Sequence, residues 1–307
     1  MILSCGEALI DMLPRVGPGG ETLFAPHPGG AVFNTAIALG RLGADAGFLS
    51  GISTDLFGGV LMRTLAASGV DCSLTLRSDR PTTLAFVTLV DGQANYAFYD
   101  ENTAGRMLVP DMMPALPAAV RALFFGGISL LAEPCGAAYE ALMLRATKTR
   151  LVMIDPNIRA GFIQDEAAYR ARLARMIAAA DIVKLSDEDL HWLEGPGEIA
   201  AQARQILHRG PKLVFITKGA EGAYAFTAEL SLFEPSREVA VIDTVGAGDT
   251  FNAGILAALD RAGALTKAAV TSADADLLGA CLKLGVSAAA VTVSRAGANP
   301  PWAEELA

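Results

Sequence analysis

Val241-Ile-Asp-Thr-Val-Gly-Ala-Gly-Asp-Thr-Phe-Asn-Ala-Gly-Ile255 is the stretch whose reading decides the fold. Val241 and Ile242 read as the end of a strand, and Gly246, Ala247 and Gly248 as a turn with almost no side chain. Phe251, Ile255 and Leu259 then recur at i, i+4 and i+8, one face of a helix. A glycine-rich turn into a helix leaves backbone N–H groups unpaired, with the positive end of the helix dipole behind them. That is an anion hole suited to phosphate. Asp249 is the odd residue, because a carboxylate aimed at a phosphate repels it. An N-terminal helix cap is one reason for an Asp there. A general base that takes the proton from a hydroxyl about to attack the phosphate is another.

The bulk composition narrows the field. The chain has 307 residues, 52% of them apolar and 19% charged, which suits a sizeable core and argues against disorder. The net charge of −9 disfavours nucleic acid and anionic membrane as partners. ATP remains compatible if local amides, a Lys or Arg and Mg²⁺ set the field at the site. Cys5, Cys72, Cys135 and Cys281 are scattered with no C-x-x-C pair, which fits a reducing cytoplasm better than a zinc or redox site. Leu3-Ser-Cys5 has no charged or apolar leader before it and is not read as a lipoprotein signal. No apolar run is expected to reach the ~20 residues of a membrane helix.

Short apolar runs at Ile2–Cys5, Ala46–Leu49, Leu123–Phe125, Leu151–Ile154, Ile182–Leu185 and Leu213–Thr217 read as strands buried on both faces. Helical patterns fall between them. One has Tyr169, Leu173, Met176 and Ile177 inside and Arg170, Arg172 and Arg175 on its wet side. The alternation predicts an α/β fold with a mostly parallel sheet covered by helices. Two segments break it. Thr83–Val90 and Gln93–Tyr99, joined by Asp91-Gly92, read as a β-hairpin, and Met12–Phe24 adds chain without a helix. They predict a small sheet apart from the main body, either a lid over an active site or an edge decoration.

Other clusters sit at predicted strand ends. Pro28-Gly-Gly-Ala-Val-Phe-Asn34 enters a helix that Gly43 would stop, and Gly29 and Gly30 permit a ligand close to the backbone. Asp11 follows the first strand, where a carboxylate suits neighbouring sugar hydroxyls; a solvated Asp is the alternative. Asp155-Pro-Asn-Ile-Arg159 offers a guanidinium for a phosphate or a distant hydroxyl, or else a surface ion pair. Lys184-Leu-Ser-Asp-Glu-Asp189 is acidic in what reads as the first turn of a helix. Lys218 does not sit in a Walker A run, so a P-loop is excluded, and no G-x-G-x-x-G follows the first strand, which discounts a dinucleotide dehydrogenase. His27, His191 and His208 are isolated and carry no assigned role.

Taken as a unit, Asp243-Thr-Val-Gly-Ala-Gly-Asp-Thr-Phe251 closely resembles a signature of the ribokinase-like sugar kinases, and the Gly29-Gly30…Asn34 run with Gly51–Gly58 resembles the family's other one. The likeness spans Ile2 to about Trp302. It implies a three-layer fold in one kinase domain over 1–307, with lid segments near 12–24 and 83–99. It implies Asp249 as catalytic base, with the Gly246, Ala247 and Gly248 amides holding the transferred group. Asp11, Gly29, Gly30, Asn34, Phe98 and Arg159 would face the sugar. Thr217, Lys218, Gly219 and Gly222 would form the nucleotide loop, with Gly246 and Gly248 beyond it. The family's Asn-x-x-Glu, which orients Mg²⁺ through water, is matched here by Ser186 and Asp189, with Glu188 as competitor. In potassium-stimulated relatives a monovalent cation would lie near Asp243, Val245, Thr292, Arg295 and Gly297.

The narrower likeness is to bacterial fructokinases, through 98–106, 155–159, 186–189 and the Ser294–Trp302 tail. It implies ATP-dependent phosphorylation of a sugar primary hydroxyl, fructose to fructose 6-phosphate, in the cytoplasm, and leaves room for a homodimer. The rivals are a 2-keto-3-deoxygluconate kinase and a non-catalytic sugar or nucleotide sensor on the same fold. Asp100 after Phe98-Tyr99 speaks against the first, since it would repel a substrate carboxylate. The intact Asp249 speaks against the second.

Overall fold

The computed structural model describes residues 1–90 and 93–306, with the backbone alone for 88–90 and 93–96. The Asp91-Gly92 turn lies outside the described residues. The strands are β1 (Ile2–Cys5), β2 (Leu9–Val16), β3 (Thr22–Gly29), β4 (Ala46–Leu49), β5 (Gly51–Ser53), β6 (Leu76–Ser78) and β7 (Leu84–Val90). They continue with β8 (Gln93–Tyr99), β9 (Ala122–Gly126), β10 (Leu151–Asp155), β11 (Ile182–Ser186), β12 (Leu213–Thr217), β13 (Gly222–Phe226) and β14 (Ser231–Pro235). The helices are α1 (Ala31–Arg41), α2 (Leu56–Ala67), α3 (Cys135–Ala146), α4 (Glu166–Ala179) and α5 (Asp187–Glu194). Then come α6 (Ile199–His208), α7 (Ala247–Arg261), α8 (Lys267–Thr271) and α9 (Ala275–Val293).

Eight strands form the central sheet in the order β14-β13-β12-β11-β10-β9-β1-β4. Pairing is parallel from β12 through β4 and antiparallel at β12–β13 and β13–β14. The continuous apolar runs explain this burial. Ala122 and Phe124 of β9 face the layer of α1, α2, α7, α8 and α9, while Leu123 and Phe125 face that of α3, α4, α5 and α6. Side chains alternate across a strand, so a strand covered on both faces has no wet position. Gly254 and Gly285 let α7 and α9 nearly touch: a Cβ on Gly254 would lie 2.5 Å from Gly285 Cα. By length and composition α9 could cross a membrane, which the sequence reading did not anticipate. Half of it is buried in this fold, as suits a core helix.

A separate four-stranded sheet runs β3-β2-β7-β8. Its β2–β3 and β7–β8 pairs are antiparallel, and β2–β7 is parallel. The 12–24 and 83–99 segments therefore meet in one sheet, with strands reaching back to Leu9 and on to Gly29. Asp11 follows β1 as expected and lies within β2, two residues past its start.

Two expectations are corrected. Val241 and Ile242 end no strand: β14 stops at Pro235, and both side chains are exposed in irregular chain. The amides of Ile242 and Asp243 donate to Val293 O at 2.8 and 3.2 Å, so the C-terminus of α9 takes the place of a sheet neighbour. Arg172 is not on the wet side of α4. It is buried, donates to Leu130 O at 2.8 Å and pairs with Glu133 and Glu140.

Candidate active site

Consecutive parallel strands end at one edge, where open α/β sheets bind ligands. Glu7 follows β1, Gly127 follows β9, and Asp155, Ser186 and Thr217 are the last residues of β10, β11 and β12. Two cavities open there. One of about 340 Å³ has Asp11, Asn34, Phe98, Gly246 and Asp249 among its walls. The other, about 710 Å³, runs past Ser186, Glu188, Thr217, Gly219 and Gly222. Asn157, Arg159, Lys184, Thr244 and Gly248 line both. The cavities thus meet at the N-terminus of α7.

The turn before α7 has the conformation its glycine permits. Gly246 is the cap residue at φ 80, a left-handed backbone, and a Cβ there would meet Ala298 Cβ at 2.7 Å. Ala247 N donates to Thr244 O at 3.3 Å. Among the described residues, the amides of Gly248 and Asp249 meet no acceptor. Those two, rather than the whole Gly-Ala-Gly run, form the open donor pair.

Asp249 is buried. Its Oδ2 accepts from Asn34 Nδ2 at 2.9 Å, and its backbone oxygen accepts from Thr35 Oγ1 at 3.1 Å. Burial raises its carboxyl from 3.8 to about 7. The Asn34 bond and Lys184 act against that rise, and Asp155 and Glu7 add to it. Across the same cavity, burial raises Asp11 to about 6. Glu7, buried at the same cavity, accepts from Ser129 N at 3.2 Å and Val32 N at 3.4 Å; burial raises its carboxyl too. Gly29 does not line the cavity but makes room for Asp11, whose Oδ2 would lie 2.1 Å from a Cβ there.

Asp155 organises the ground between the cavities. Its Oδ2 takes Lys184 Nζ at 3.0 Å and Asn252 Nδ2 at 2.7 Å, and its Oδ1 takes Asn157 N at 3.2 Å. Asn157 is held left-handed at φ 46, a conformation that Asn tolerates better than most residues. The turn carries Arg159 to both cavities, where its guanidinium donates to Ile158 O at 3.1 Å. Phe98 of β8 meets Phe162 edge-on at 4.7 Å, joining the small sheet to the loop after β10.

On the larger cavity, Ser186 and Asp189 form a capping box on α5. Asp189 Oδ1 also accepts from Ile158 N at 2.9 Å, so both carboxylate oxygens serve backbone amides. Burial raises its carboxyl, with Asp155 next. Glu188 is exposed and faces the cavity, the better placed of the two to reach a hydrated metal. Mg²⁺ is held in many kinases by one or two carboxylates plus substrate phosphates, and this acid set fits that pattern. Lys218 is not brought to the cavity: its ammonium pairs with Glu221 at 2.8 Å.

The suggested monovalent-cation residues do come together. Asp243 accepts from Val245 N at 3.0 Å and Gly297 N at 2.9 Å, and Arg295 N donates to Thr292 O at 3.1 Å. Arg295's side chain turns to Glu305. Asp100 pairs with Arg106 at 2.7 Å and is not among the smaller cavity's walls, so its charge does not act there as the sequence reading supposed.

Sequence reasoning missed Glu7, Asp155, Lys184 and Asn252. A signal for Lys184 was available, since a lysine inside a doubly buried strand needs a partner. For Asn252 there was none, because it sits in the same helical run as its apolar neighbours.

Two cavities that meet at an acid-bearing helix N-terminus suit an enzyme that moves a phosphoryl group from a donor to an acceptor, as a carbohydrate kinase does. More particularly, the chain belongs to the pfkB family of carbohydrate kinases, whose sequence profile matches residues 2–305. It is similar to a fructokinase of Rhizobium leguminosarum bv. trifolii, 55% identical over 91% of this chain and 85% of that one. Among solved structures it is similar to the fructokinase of Xylella fastidiosa with bound ATP. That match has a TM-score of 0.90 at 27% identity, covering 99% of this chain and 96% of the other. A fructokinase double mutant of Vibrio cholerae O395, with fructose, ADP and a potassium ion bound, superposes with a TM-score of 0.84 at 26% identity, over 97% and 93% of the two chains.

Proposed function

We propose that this enzyme transfers the γ-phosphoryl group of ATP to the primary hydroxyl of fructose, giving fructose 6-phosphate and ADP. One observation carries the mechanism: the buried carboxylate of Asp249, tethered by Asn34, lines the smaller cavity next to Gly248, which lines both. The sugar fills the smaller cavity. Asp11 and Asn34 bind its hydroxyls, Phe98 covers it, and Gly30 leaves room beside the backbone. ATP fills the larger cavity along Thr217, Gly219 and Gly222. Arg159 reaches the phosphates or the sugar from between.

Asp249 takes the proton from the attacking hydroxyl, and the Gly248 and Asp249 amides stabilise the charge that develops on the transferred group. Mg²⁺ would neutralise phosphate charge, with Glu188 the residue placed to hold its water shell. Asp243, Val245 and Gly297 with the loop at Thr292 and Arg295 are the proposed monovalent-cation site, tested by activity in K⁺ against Na⁺ buffers.

In this reading residues 1–307 act as one kinase domain and the β3-β2-β7-β8 sheet is its lid. Val16, Leu23, Phe24 and Tyr99 are exposed on that sheet, which supports pairing with a second copy. The four unbonded cysteines fit a reducing cytoplasm. The deciding experiment is an ADP-release assay over a sugar panel. Fructose giving the highest kcat/KM supports the proposal, and release with no sugar in the panel sinks it. The fructokinase relatives and the cavity's charge both weigh against 2-keto-3-deoxygluconate, and the retained Asp249 weighs against a sensor.

A further inference from the structure

We infer that Lys184 is a catalytic residue, whose ammonium contacts the phosphoryl group as it passes from ATP to the sugar. The inference rests on the kinase reading above and adds a group that reading does not contain.

Position is the first argument. Lys184 is the third residue of β11, between the buried Val183 and Leu185, and its side chain is only 5% exposed. Lysine is rarely buried so far without a compelling partner. Lys184 is nevertheless among the walls of both cavities, together with Gly248. A Cβ on Gly248 would lie 3.2 Å from Lys184 Nζ, so the bare glycine keeps the ammonium and the helix N-terminus facing one opening. The unpaired amides of Gly248 and Asp249 share that opening.

Valence is the second. Among the described residues, the ammonium donates one hydrogen bond, to Asp155 Oδ2. An ammonium has three donors. Asp155 is meanwhile shared among Lys184, Asn252 and the Asn157 amide. The carboxylate thus fixes the lysine while leaving it donors for a ligand.

Charge is the third. Glu7, Asp11, Asp155 and Asp249 all border the smaller cavity, against Lys184 and Arg159. A transferring phosphoryl group spreads negative charge over its three equatorial oxygens. Placed among those acids it needs a fixed cation at the point of transfer, where a preorganised charge away from water acts most strongly. Arg159 is exposed and long, whereas Lys184 is anchored.

The step balances without any change in Lys184. The sugar oxygen forms a bond to the γ-phosphorus, and the bond from that phosphorus to the β,γ-bridging oxygen breaks. The electron pair leaves with ADP, the hydroxyl proton passes to Asp249, and the lysine stays protonated.

The test compares wild type, Lys184→Met and Lys184→Arg for kcat, for fructose and ADP affinity by calorimetry, and for melting temperature. Loss of a charged transition-state contact is expected to lower kcat about 10²–10³-fold while fructose affinity stays near wild type; the melting temperature should fall, because Asp155 is left buried without its cation. Arginine should recover part of the rate. Should Lys184→Met fail to fold with Asp155 left unpaired, the double variant with Asp155→Asn removes both charges and is held to the same expectation for rate and affinity. Turnover within about threefold of wild type would overturn the inference, as would fructose and ADP affinity falling in step with the rate. Wild type that phosphorylates a different sugar corrects the substrate and leaves the Lys184 comparison to be run on that sugar. Wild type inactive on every sugar overturns both readings.

Discussion

Asn34 Nδ2 donates to Asp249 Oδ2 at 2.9 Å, a bond between the first turns of α1 and α7 across 215 residues of sequence. The sequence reading placed Asn34 on the sugar and Asp249 on the phosphate. The structure makes them one unit. Thr35 of α1 reinforces it by holding the Asp249 carbonyl at 3.1 Å. Asp249, the proposed base, is therefore oriented by α1, and its geometry and acidity both depend on that contact.

Asp249→Asn should lower kcat by about 10²–10⁴-fold, the usual worth of a general base. The amide is nearly isosteric and can still accept from Asn34, so fructose affinity should hardly move. Steady-state kinetics with a sugar titration separates the two quantities. Near-normal turnover would remove Asp249 from the mechanism.

The pH profile should carry the same residue. A base must be deprotonated to act, and burial puts Asp249 at about 7. Activity as kcat/KM should therefore rise through about pH 7 and level off above it. Asn34 donates to the charged form and so lowers this value. Removing that donor in Asn34→Ala should move the acid limb to higher pH. A limb that stays put, or moves down, would separate the observed ionisation from Asp249.

Stability should respond with a definite sign. The folded-state value of Asp249 lies above its ordinary 3.8, so the native state holds this proton more tightly than the unfolded chain does. Its contribution is fully present below the unfolded value and is lost as pH rises through about 7. Asparagine does not titrate. The stability of Asp249→Asn relative to wild type should thus improve between about pH 5 and about pH 8. Urea midpoints at the two pH values measure this, and a mutant midpoint that falls relative to wild type between them would contradict burial as the cause.

What could be read beforehand, and what could not, follows from how local each signal is. The buried strands are continuous apolar runs, and Gly43, left-handed at φ 81, stops α1 where expected. The hairpin arms and the β2–β3 segment were legible because they lacked helical periodicity. Val241 and Ile242 misled because β-branched residues look like strand whether or not a sheet edge is near. Arg172 misled because its partners, Glu133 and Glu140, lie on other elements. The same holds for Asp155 with Lys184 and Asn252: only the fold brings β10, β11 and α7 to one point. Asp100 had Arg106 six residues away, and its pairing depends on the turn after β8.

The lid reading makes its own demand. Phe98 and Phe162 are in edge-on contact at 4.7 Å, so the small sheet is already joined to the loop that carries Arg159. Saturating fructose should slow hydrogen exchange in peptides covering 84–99. Phe162→Ala should weaken that protection and raise KM more than it lowers kcat. Exchange unaltered by sugar would count against closure.

The last expectation concerns which sugar is preferred. Asp100 cannot decide it, since it is neutralised by Arg106 outside the smaller cavity. The cavity itself supplies a stronger reason. Asp11 and Asp249 are carboxylates raised to about 6 and about 7, and Glu7 and Asp155 stand behind them. A buried substrate carboxylate would add a like charge to this group, which is disfavoured unless a cation is free to meet it. Lys184 is held by Asp155 at the point where the phosphoryl group would pass, and Arg159 donates to its own loop carbonyls. A neutral ketohexose meets the same acids with hydroxyl donors instead. Fructose should therefore show a kcat/KM well above that of 2-keto-3-deoxygluconate, about 10²-fold or more, the discrimination expected where a charge is left unpaired. Arg159→Ala should not reverse the order. If the acid sugar were preferred in steady-state assays, Arg159 would have to turn into the cavity, and the fructose assignment would fall while phosphoryl transfer through Asp249 would stand.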